Sequence, residues 1–253
     1  MGALDGKVAI ITGCTAASIG RACAMSLAMA GAKVVVTGRK KPGGQETEKL
    51  IKDAGGDALF IVQDVTVPED WQRVIQRTID THGRLDFLIN NAGEAIVGPI
   101  EKLTSDDLIF LREVDLDGPF LGIKYAWPHL VRSGGGVIIN MSSIVGQKGM
   151  PHGTAYGAIK GAQLGLTRAC SLEGAPHNIR AVSVHPGFIW TAGVPDVLGP
   201  EAEKMRPGIE SNIPWGEAGE PEHIGASCTY LCTDSARYIT GCEFNIDGGA
   251  GAG

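Results

Sequence analysis

The feature that most constrains this chain is an alternation of short, wholly apolar runs with longer segments of helical periodicity. Val8-Ala9-Ile10-Ile11 comes first, and a helical pattern over residues 19–31 follows it, closed by Gly31. Lys33 to Thr37 carries three consecutive valines; a helical stretch at 43–54 and a third run, Leu59 to Val62, come next. Pro68 to His82 reads as a helix, with proline in its first turn and Gly83 past its end. Phe87 to Ile89, Val137 to Ile139, Ala181 to Val184 and Glu243 to Ile246 supply the remaining strands. Between them lie helical patterns at 105–132, 154–174 and 221–232. Strands that are apolar on both faces, each followed by a helix, require a parallel sheet covered on both sides. The expected fold class is α/β: one domain over residues 1–253 with a doubly wound, mostly parallel sheet. Residues 192–219 break the pattern, being rich in Gly, Pro and Glu, and are expected to form a lid over a site.

Composition excludes several other classes. At 253 residues the chain buries enough surface to need no staples. A net charge of −6 disfavours nucleic acid, and Arg39-Lys40-Lys41 is too short a basic run to reverse that. The six cysteines form no C-x-x-C pair. Cys228 and Cys232 share a helical face with only His223 near, so no metal site is expected. They read instead as small buried hydrophobes in a reducing compartment, which points to the cytoplasm. No signal peptide, myristoylation motif or membrane span is expected from the sequence.

The first strand runs into Thr12-Gly13-Cys14-Thr15-Ala16-Ala17-Ser18-Ile19-Gly20. Glycines there let the backbone approach a pyrophosphate, and the following helix N-terminus offers free N–H groups. Asn90-Asn91-Ala92-Gly93 directly follows the fourth strand, where a doubly wound sheet holds its ligand. Asp64-Val65 ends the third strand, placing a carboxylate where an adenine amino group would lie. After the second strand comes Gly38-Arg39-Lys40, with no acid to take ribose hydroxyls. Two cations there suit the extra phosphate of NADP(H), which is favoured over NAD(H).

Tyr156 and Lys160 stand at i and i+4 of a helical pattern and so share a face. An ammonium beside a phenol favours the phenolate, as a general acid or base for hydride transfer to a carbonyl requires. Ser143 follows the fifth strand and can donate to an oxygen where charge develops.

Over essentially its whole length the chain resembles the classical short-chain dehydrogenase/reductase family. The matching segments are Thr12 to Gly20, Asp64-Val65, Asn90 to Gly93, Ser143, Tyr156 and Lys160. Further along, Pro186-Gly187-Phe188-Ile189-Trp190-Thr191 resembles the segment that lies against the nicotinamide, and Tyr238 to Gly241 with Asp247-Gly248-Gly249 resembles the C-terminal signature. The resemblance implies a Rossmann fold, Tyr156 as acid/base, Lys160 on the ribose, Ser143 on the substrate oxygen, and a homotetramer or homodimer.

Two departures from the family pattern stand out. The glycine turn is one residue longer, with Ala17 and Ser18 in place of a central glycine. Its Ser-Ile-Gly ending is similar to the enoyl reductases of the superfamily, yet those space Tyr and Lys more widely than Tyr156 and Lys160. Ser18 could offer a hydroxyl to a cofactor phosphate. The second departure is Asp115, where the family has an asparagine that holds a water linking the lysine to solvent. An ionised Asp115 would offset part of the effect of Lys160 on Tyr156, giving a working relay with an altered pH optimum; the alternative is a neutral substitution, since Asp is nearly isosteric with Asn and can accept the same bonds.

Phe188, Trp190, Met150 and Trp215 fall in segments expected to border the substrate and suggest a bulky apolar, cyclic or aromatic alcohol or ketone. His152, between Ser143 and Tyr156, reads as a solvated loop residue or, alternatively, as a contact to a polar substrate group. Two alternatives remain: a Rossmann cofactor sensor without chemistry, and a reductase of a carrier-bound 3-ketoacyl group. The acidic 192–219 segment disfavours the second, because an acidic carrier needs a basic docking rim.

Overall fold

The computed structural model describes residues 2–252. Seven strands form one sheet in the order β3-β2-β1-β4-β5-β6-β7, every neighbouring pair parallel. They are β1 (Val8–Ile11), β2 (Lys33–Gly38), β3 (Asp57–Val62), β4 (Phe87–Asn90), β5 (Gly136–Met141), β6 (Ile179–Pro186) and β7 (Glu243–Ile246). The chain walks outward from β1 to β3, then returns to place β4 against β1. The switch point therefore lies between β1 and β4, where the crevice at the strands' carboxyl ends accepts ligands in sheets of this kind.

Helices α1 (Ile19–Met29), α2 (Lys41–Asp53), α3 (Pro68–His82), α4 (Ser105–Arg112), α5 (Gly118–Arg132), α6 (Thr154–Gly174) and α9 (Pro221–Cys232) cover the two faces. One apolar cluster joins alternate strand residues such as Ile11, Val36 and Ile89 to Cys23, Leu27, Cys228 and Leu231 of α1 and α9. The other joins Ile10, Val35, Leu88 and Ile138 to Trp71, Val74 and Leu130 of α3 and α5. Both faces of the sheet are thus dry, which is why the strands read as unbroken apolar runs.

Near the carboxyl ends the second face turns polar while staying buried. Asn90, Asn140 and Ser183 lie in register across β4, β5 and β6. Thr12 and Thr37 stand one position past the Ile11–Val36 pair. All five are at most 2% exposed. Asn90 donates to Asn140 (2.8 Å), and Asn140 donates to Thr167 of α6 (2.9 Å). Buried amides need such partners, and here the partners fix the helices that carry the site.

Two boundaries differ from the sequence expectation in an informative way. α2 begins at Lys41 rather than 43, because Pro42 is tolerated in a first turn. Gly44 then packs on Phe60, where any Cβ would lie 1.9 Å from the ring. The stretch 105–132 is helical throughout but contains a π-helical turn, Glu113–Asp117, ahead of Gly118-Pro119. Residues 192–219 contain two short helices, α7 (Val194–Leu198) and α8 (Ala202–Glu210). Among the described residues, no helix is long and apolar enough to cross a membrane.

Candidate active site

The turn from β1 into α1 is built around close backbone approach. Gly13 has a φ of 76°, and a Cβ on it would lie 2.8 Å from Asn91 Nδ2. A Cβ on Gly20 would lie 2.5 Å from both Asn91 Nδ2 and the Gly13 carbonyl oxygen. Thr12 Oγ1 accepts from the N–H groups of Asn91 (2.9 Å) and Ala92 (2.8 Å), and Asn91 Nδ2 donates to the Thr12 carbonyl (2.8 Å). Asn91 was expected among the cofactor ligands. Its side chain clamps the glycine turn to the end of β4, across the switch point.

The longer turn is accommodated by the neighbouring strand. Cys14 N–H donates to the Thr37 carbonyl (2.9 Å), and Thr47 of α2 donates to the Cys14 carbonyl (2.6 Å). Thr15 sits against Gly38 and Gly43, both of which lack room for a side chain. Ser18 Oγ donates to the carbonyls of Ala16 (3.2 Å) and Gly13 (3.4 Å), bracing the turn. Ala17 accepts from Ala192 N–H (3.1 Å), which ties the turn to the segment after Thr191. Asp64 Oδ1 caps Thr66, and Val65 is buried beneath it. Arg39, expected to face solvent or phosphate, reaches Glu94 just past Gly93 at 2.5 Å. Lys40 is exposed at the start of α2.

The chemical end is organised by α6. Lys160 is 4% exposed. Its Nζ lies 2.7 Å from Asp115 Oδ1, 2.9 Å from the Met141 carbonyl and 5.7 Å from the centroid of the Tyr156 ring. Burial pulls this ammonium down, but the charges of Asp115 and Tyr156 and the Asp115 hydrogen bond outweigh it and hold it above the ordinary lysine value. Asp115 was expected to stand in for an asparagine that holds water. It pairs with the lysine directly, and its other oxygen accepts the N–H of Glu94 (3.0 Å).

The position of Asp115 follows from the π-helical turn. Pro119 has no N–H to give the Asp115 carbonyl, the bond an α-helix would make. Gln163, one turn past Lys160 on α6, donates its side-chain amide to that carbonyl instead. Gly93 completes the arrangement: a Cβ there would lie 2.6 Å from Asp115 Oδ1 and 3.3 Å from Lys160 Nζ. The strand-four glycine thus rides over the ion pair, joining the two ends of the site.

Ser143 closes β5 and caps the short turn Ile144–Gly146, accepting from Val145 N–H (3.2 Å). That turn packs on α6, where a Cβ on Gly146 would lie 2.7 Å from the Lys160 carbonyl carbon. Tyr156 packs at the edge of a small cluster of Leu111, Ala155 and Ile159. His185, on β6, is fully buried and holds the Ser143 carbonyl at 2.8 Å. A carbonyl only accepts, so the proton sits on Nδ1. Neither His185, Gln163 nor Glu94 is visible as a site residue in the sequence; His185 in Val184-His185-Pro186 offered a signal, a polar residue within an apolar strand.

His185 makes the site acid-sensitive. Burial pushes its pKa down, only partly offset by the Ser143 carbonyl and Glu243, and burial does the same to His82 and His129. A depressed folded pKa means the unfolded chain binds more protons, so stability is full above about 6.5 and falls as pH drops toward the folded values. The expected outcome is a melting temperature that declines below about pH 6.5. His185→Asn, whose amide can replace Nδ1 without titrating, makes that decline shallower; an unchanged slope contradicts the assignment.

The segment after β6 is pinned where it leaves and where it returns. Trp190 N–H donates to the Gly219 carbonyl (2.7 Å) and Gly219 N–H to the Phe188 carbonyl (2.9 Å). Gly187 abuts Asp247, with room for no Cβ, and Pro186 ends β6. Trp190 donates to Glu203 (3.2 Å) and stacks under Arg206 at 4.6 Å. Phe188 and Trp215 line a separate cavity of 280 Å³ with Ile213, Ile246 and Asp247. The lining of that cavity includes none of Ser143, Tyr156 or Lys160. His152 is exposed with a φ of 65°, its carbonyl accepting Gly98 N–H (2.8 Å). Met150 is also exposed, packed beside Gly153.

A family profile described as Enoyl-(Acyl carrier protein) reductase matches residues 13–251. The NADP-dependent (R)-specific alcohol dehydrogenase of Lentilactobacillus kefiri is 38% identical over 97% of each chain. The chain belongs to the classical short-chain dehydrogenase/reductase family. The 2,5-dichloro-2,5-cyclohexadiene-1,4-diol dehydrogenase of Sphingobium indicum, a further similar enzyme, is 37% identical over 99% of this chain and 98% of its own. The crystal structure of a putative short-chain alcohol dehydrogenase from Sinorhizobium meliloti superposes with a TM-score of 0.92 at 35% identity, covering 98% of both chains. The chain is therefore an oxidoreductase of this family with a Rossmann-like single domain.

Proposed function

We propose that the protein transfers a hydride between NADP(H) and a secondary alcohol or ketone, with a bulky apolar or cyclic substrate. The observation that carries this reading is the packing of Gly93 on the Lys160–Asp115 pair, which sets the Tyr156 helix directly against the switch-point crevice. The turn at Gly13, Thr15, Ala17, Ser18, Ile19 and Gly20, whose two glycines have no room for a Cβ, fits a pyrophosphate. Arg39 and Lys40 suit a 2′-phosphate, the uncapped Asp64 oxygen an adenine amino group, and Asn91, Ala92 and Gly93 flank the dinucleotide. Pro186, Gly187, Ile189 and Thr191 border the nicotinamide. When bound, the reduced nicotinamide supplies the hydride.

In the reductive direction Ser143 donates a hydrogen bond to the carbonyl oxygen, and the Tyr156 hydroxyl donates its proton to that oxygen as charge develops there. Lys160 uses two of its three N–H groups on Asp115 and Met141, leaving the third for a ribose hydroxyl. The i, i+4 placement of Tyr156 and Lys160 supports carbonyl over carbon–carbon double-bond reduction. The cations of α8 support a free substrate over a carrier-bound one: Lys204 pairs with Glu201, and Arg206 with Glu210 and Glu220. Residues 192–219 act as the lid. Exposed Leu108, Ile109, Phe110 and Phe120 support a homo-oligomer, and buried free thiols support a cytoplasmic location.

The test is oxidation of NADPH and NADH over a panel of cyclic, aromatic and aliphatic ketones. Turnover that prefers NADPH and bulky ketones is expected; turnover with NADH alone contradicts the cofactor assignment. For the lid, Trp190→Ala removes the ring held by Glu203 and Arg206. We expect KM for a bulky ketone to rise by about tenfold, with a smaller change in kcat. An unchanged KM, together with unchanged proteolysis of residues 192–212, contradicts the lid.

A further inference from the structure

Glu94 places a negative charge at the crevice, opposing the anionic ligand proposed there. It stands immediately after Gly93 at the end of β4, and its N–H is fixed by Asp115 Oδ2 at 3.0 Å. Its carboxylate meets Arg39 Nη2 at 2.5 Å. Arg39 stands past the end of β2, and β1 lies between β2 and β4 in the sheet. The pair therefore spans the carboxyl end of β1, over the glycine turn, across the path a dinucleotide takes. We propose that Glu94 is a specificity-determining residue that competes with the cofactor's 2′-phosphate for the Arg39 guanidinium. This rests on the reading of Arg39 as the phosphate-binding cation.

The exchange has a definite asymmetry. A 2′-phosphate carries about −1.5 to −2 charges and offers three acceptor oxygens, so it can replace the carboxylate on Arg39. NAD(H) brings no group to replace it. Once displaced, Glu94 stays close by, because its backbone is held by Asp115, and its charge then faces the phosphate. Both effects lower affinity for NADP(H) more than for NAD(H). The pair is half-exposed, with side chains 55% and 38% accessible, so its influence is modest and salt-dependent.

The experiment is a titration of the intact protein with NADPH and with NADH, followed by reduced-nicotinamide fluorescence, at low and high salt. The proteins are wild type, Glu94→Gln, Arg39→Gln and the double variant. Glu94→Gln is expected to tighten NADPH by about fivefold at low salt and NADH by less than about twofold. The gain in preference shrinks at high salt and vanishes in the Arg39→Gln background. If wild type prefers NADPH, Arg39→Gln abolishes that preference, and Glu94→Gln leaves the NADPH-to-NADH ratio unchanged or lowers it, the role of Glu94 is overturned while Arg39 keeps its own. If wild type shows no preference and Arg39→Gln changes neither affinity, both assignments fall. Circular dichroism of each variant separates a binding effect from a folding one.

Discussion

Tyr156→Phe is expected to lower ketone turnover by about 10²- to 10⁴-fold while leaving NADPH affinity close to wild type. The substitution removes only the hydroxyl. The ring keeps its place against Leu111, Ala155 and Ile159, so the helix that carries Lys160 has no reason to move. Lys160 keeps Asp115 and Met141, and Gly93 keeps its seat on that pair. What disappears is the proton delivered to the substrate oxygen. Rates with saturating NADPH and fluorescence titration of the cofactor check both halves. A variant that turns over near the wild-type rate removes Tyr156 from the chemistry, and one that loses cofactor affinity as well shows a structural role instead.

The second large effect is expected at Asp115, where charge and shape can be separated. Asp115→Ala leaves the Lys160 ammonium buried with the Met141 carbonyl and deprives Glu94 N–H of its acceptor. An uncompensated buried charge costs about 3–5 kcal/mol, so this variant is expected to unfold at much lower denaturant. Asp115→Asn keeps the shape and an acceptor while removing the negative charge. Lys160 then acts on Tyr156 without an opposing carboxylate, which favours the phenolate. The midpoint of the pH–rate profile for alcohol oxidation is expected to move down by about one unit. An unshifted or upward-shifted midpoint contradicts the account. Asp115→Asn also removes the charge that holds Lys160 up against burial, so the lysine's own titration in the variant is followed by NMR beside the rate profile; in wild type the lysine titrates outside the range of that profile. Its folded pKa is raised, so the stability it contributes is complete below about 10.4 and is lost only as pH climbs through the folded value.

Much of the fold is legible in the sequence because the local signals agree with one another. α3 runs from Pro68 to His82, as proline at one end and a left-handed Gly83 at the other require. β5 and β6 extend beyond their expected runs, because pairing continues through Asn140 and Met141 in β5 and through Ile179, Arg180, His185 and Pro186 in β6. Residue types and spacing also mark Tyr156, Lys160 and Ser143. What stays hidden depends on strand order and on groups far apart in sequence. Nothing near Arg39 foretells Glu94, because their meeting requires β4 to return beside β1. Nothing near Asp115 foretells a direct ion pair, because that needs Pro119 to free a carbonyl and Gln163 to take it. That Asn91 and Ser18 also hydrogen-bond within the turn itself is likewise not visible from their positions in the sequence.

The most direct test of the central claim is to reduce a cyclic ketone with NADPH deuterated at the transferable position of the nicotinamide ring and to locate the label in the product. Deuterium on the carbinol carbon, with the ring otherwise unchanged, is the predicted result. An unlabelled alcohol would contradict direct hydride transfer to the carbonyl. Deuterium at a saturated carbon of an enone substrate whose carbonyl survives would assign the protein to double-bond reduction instead.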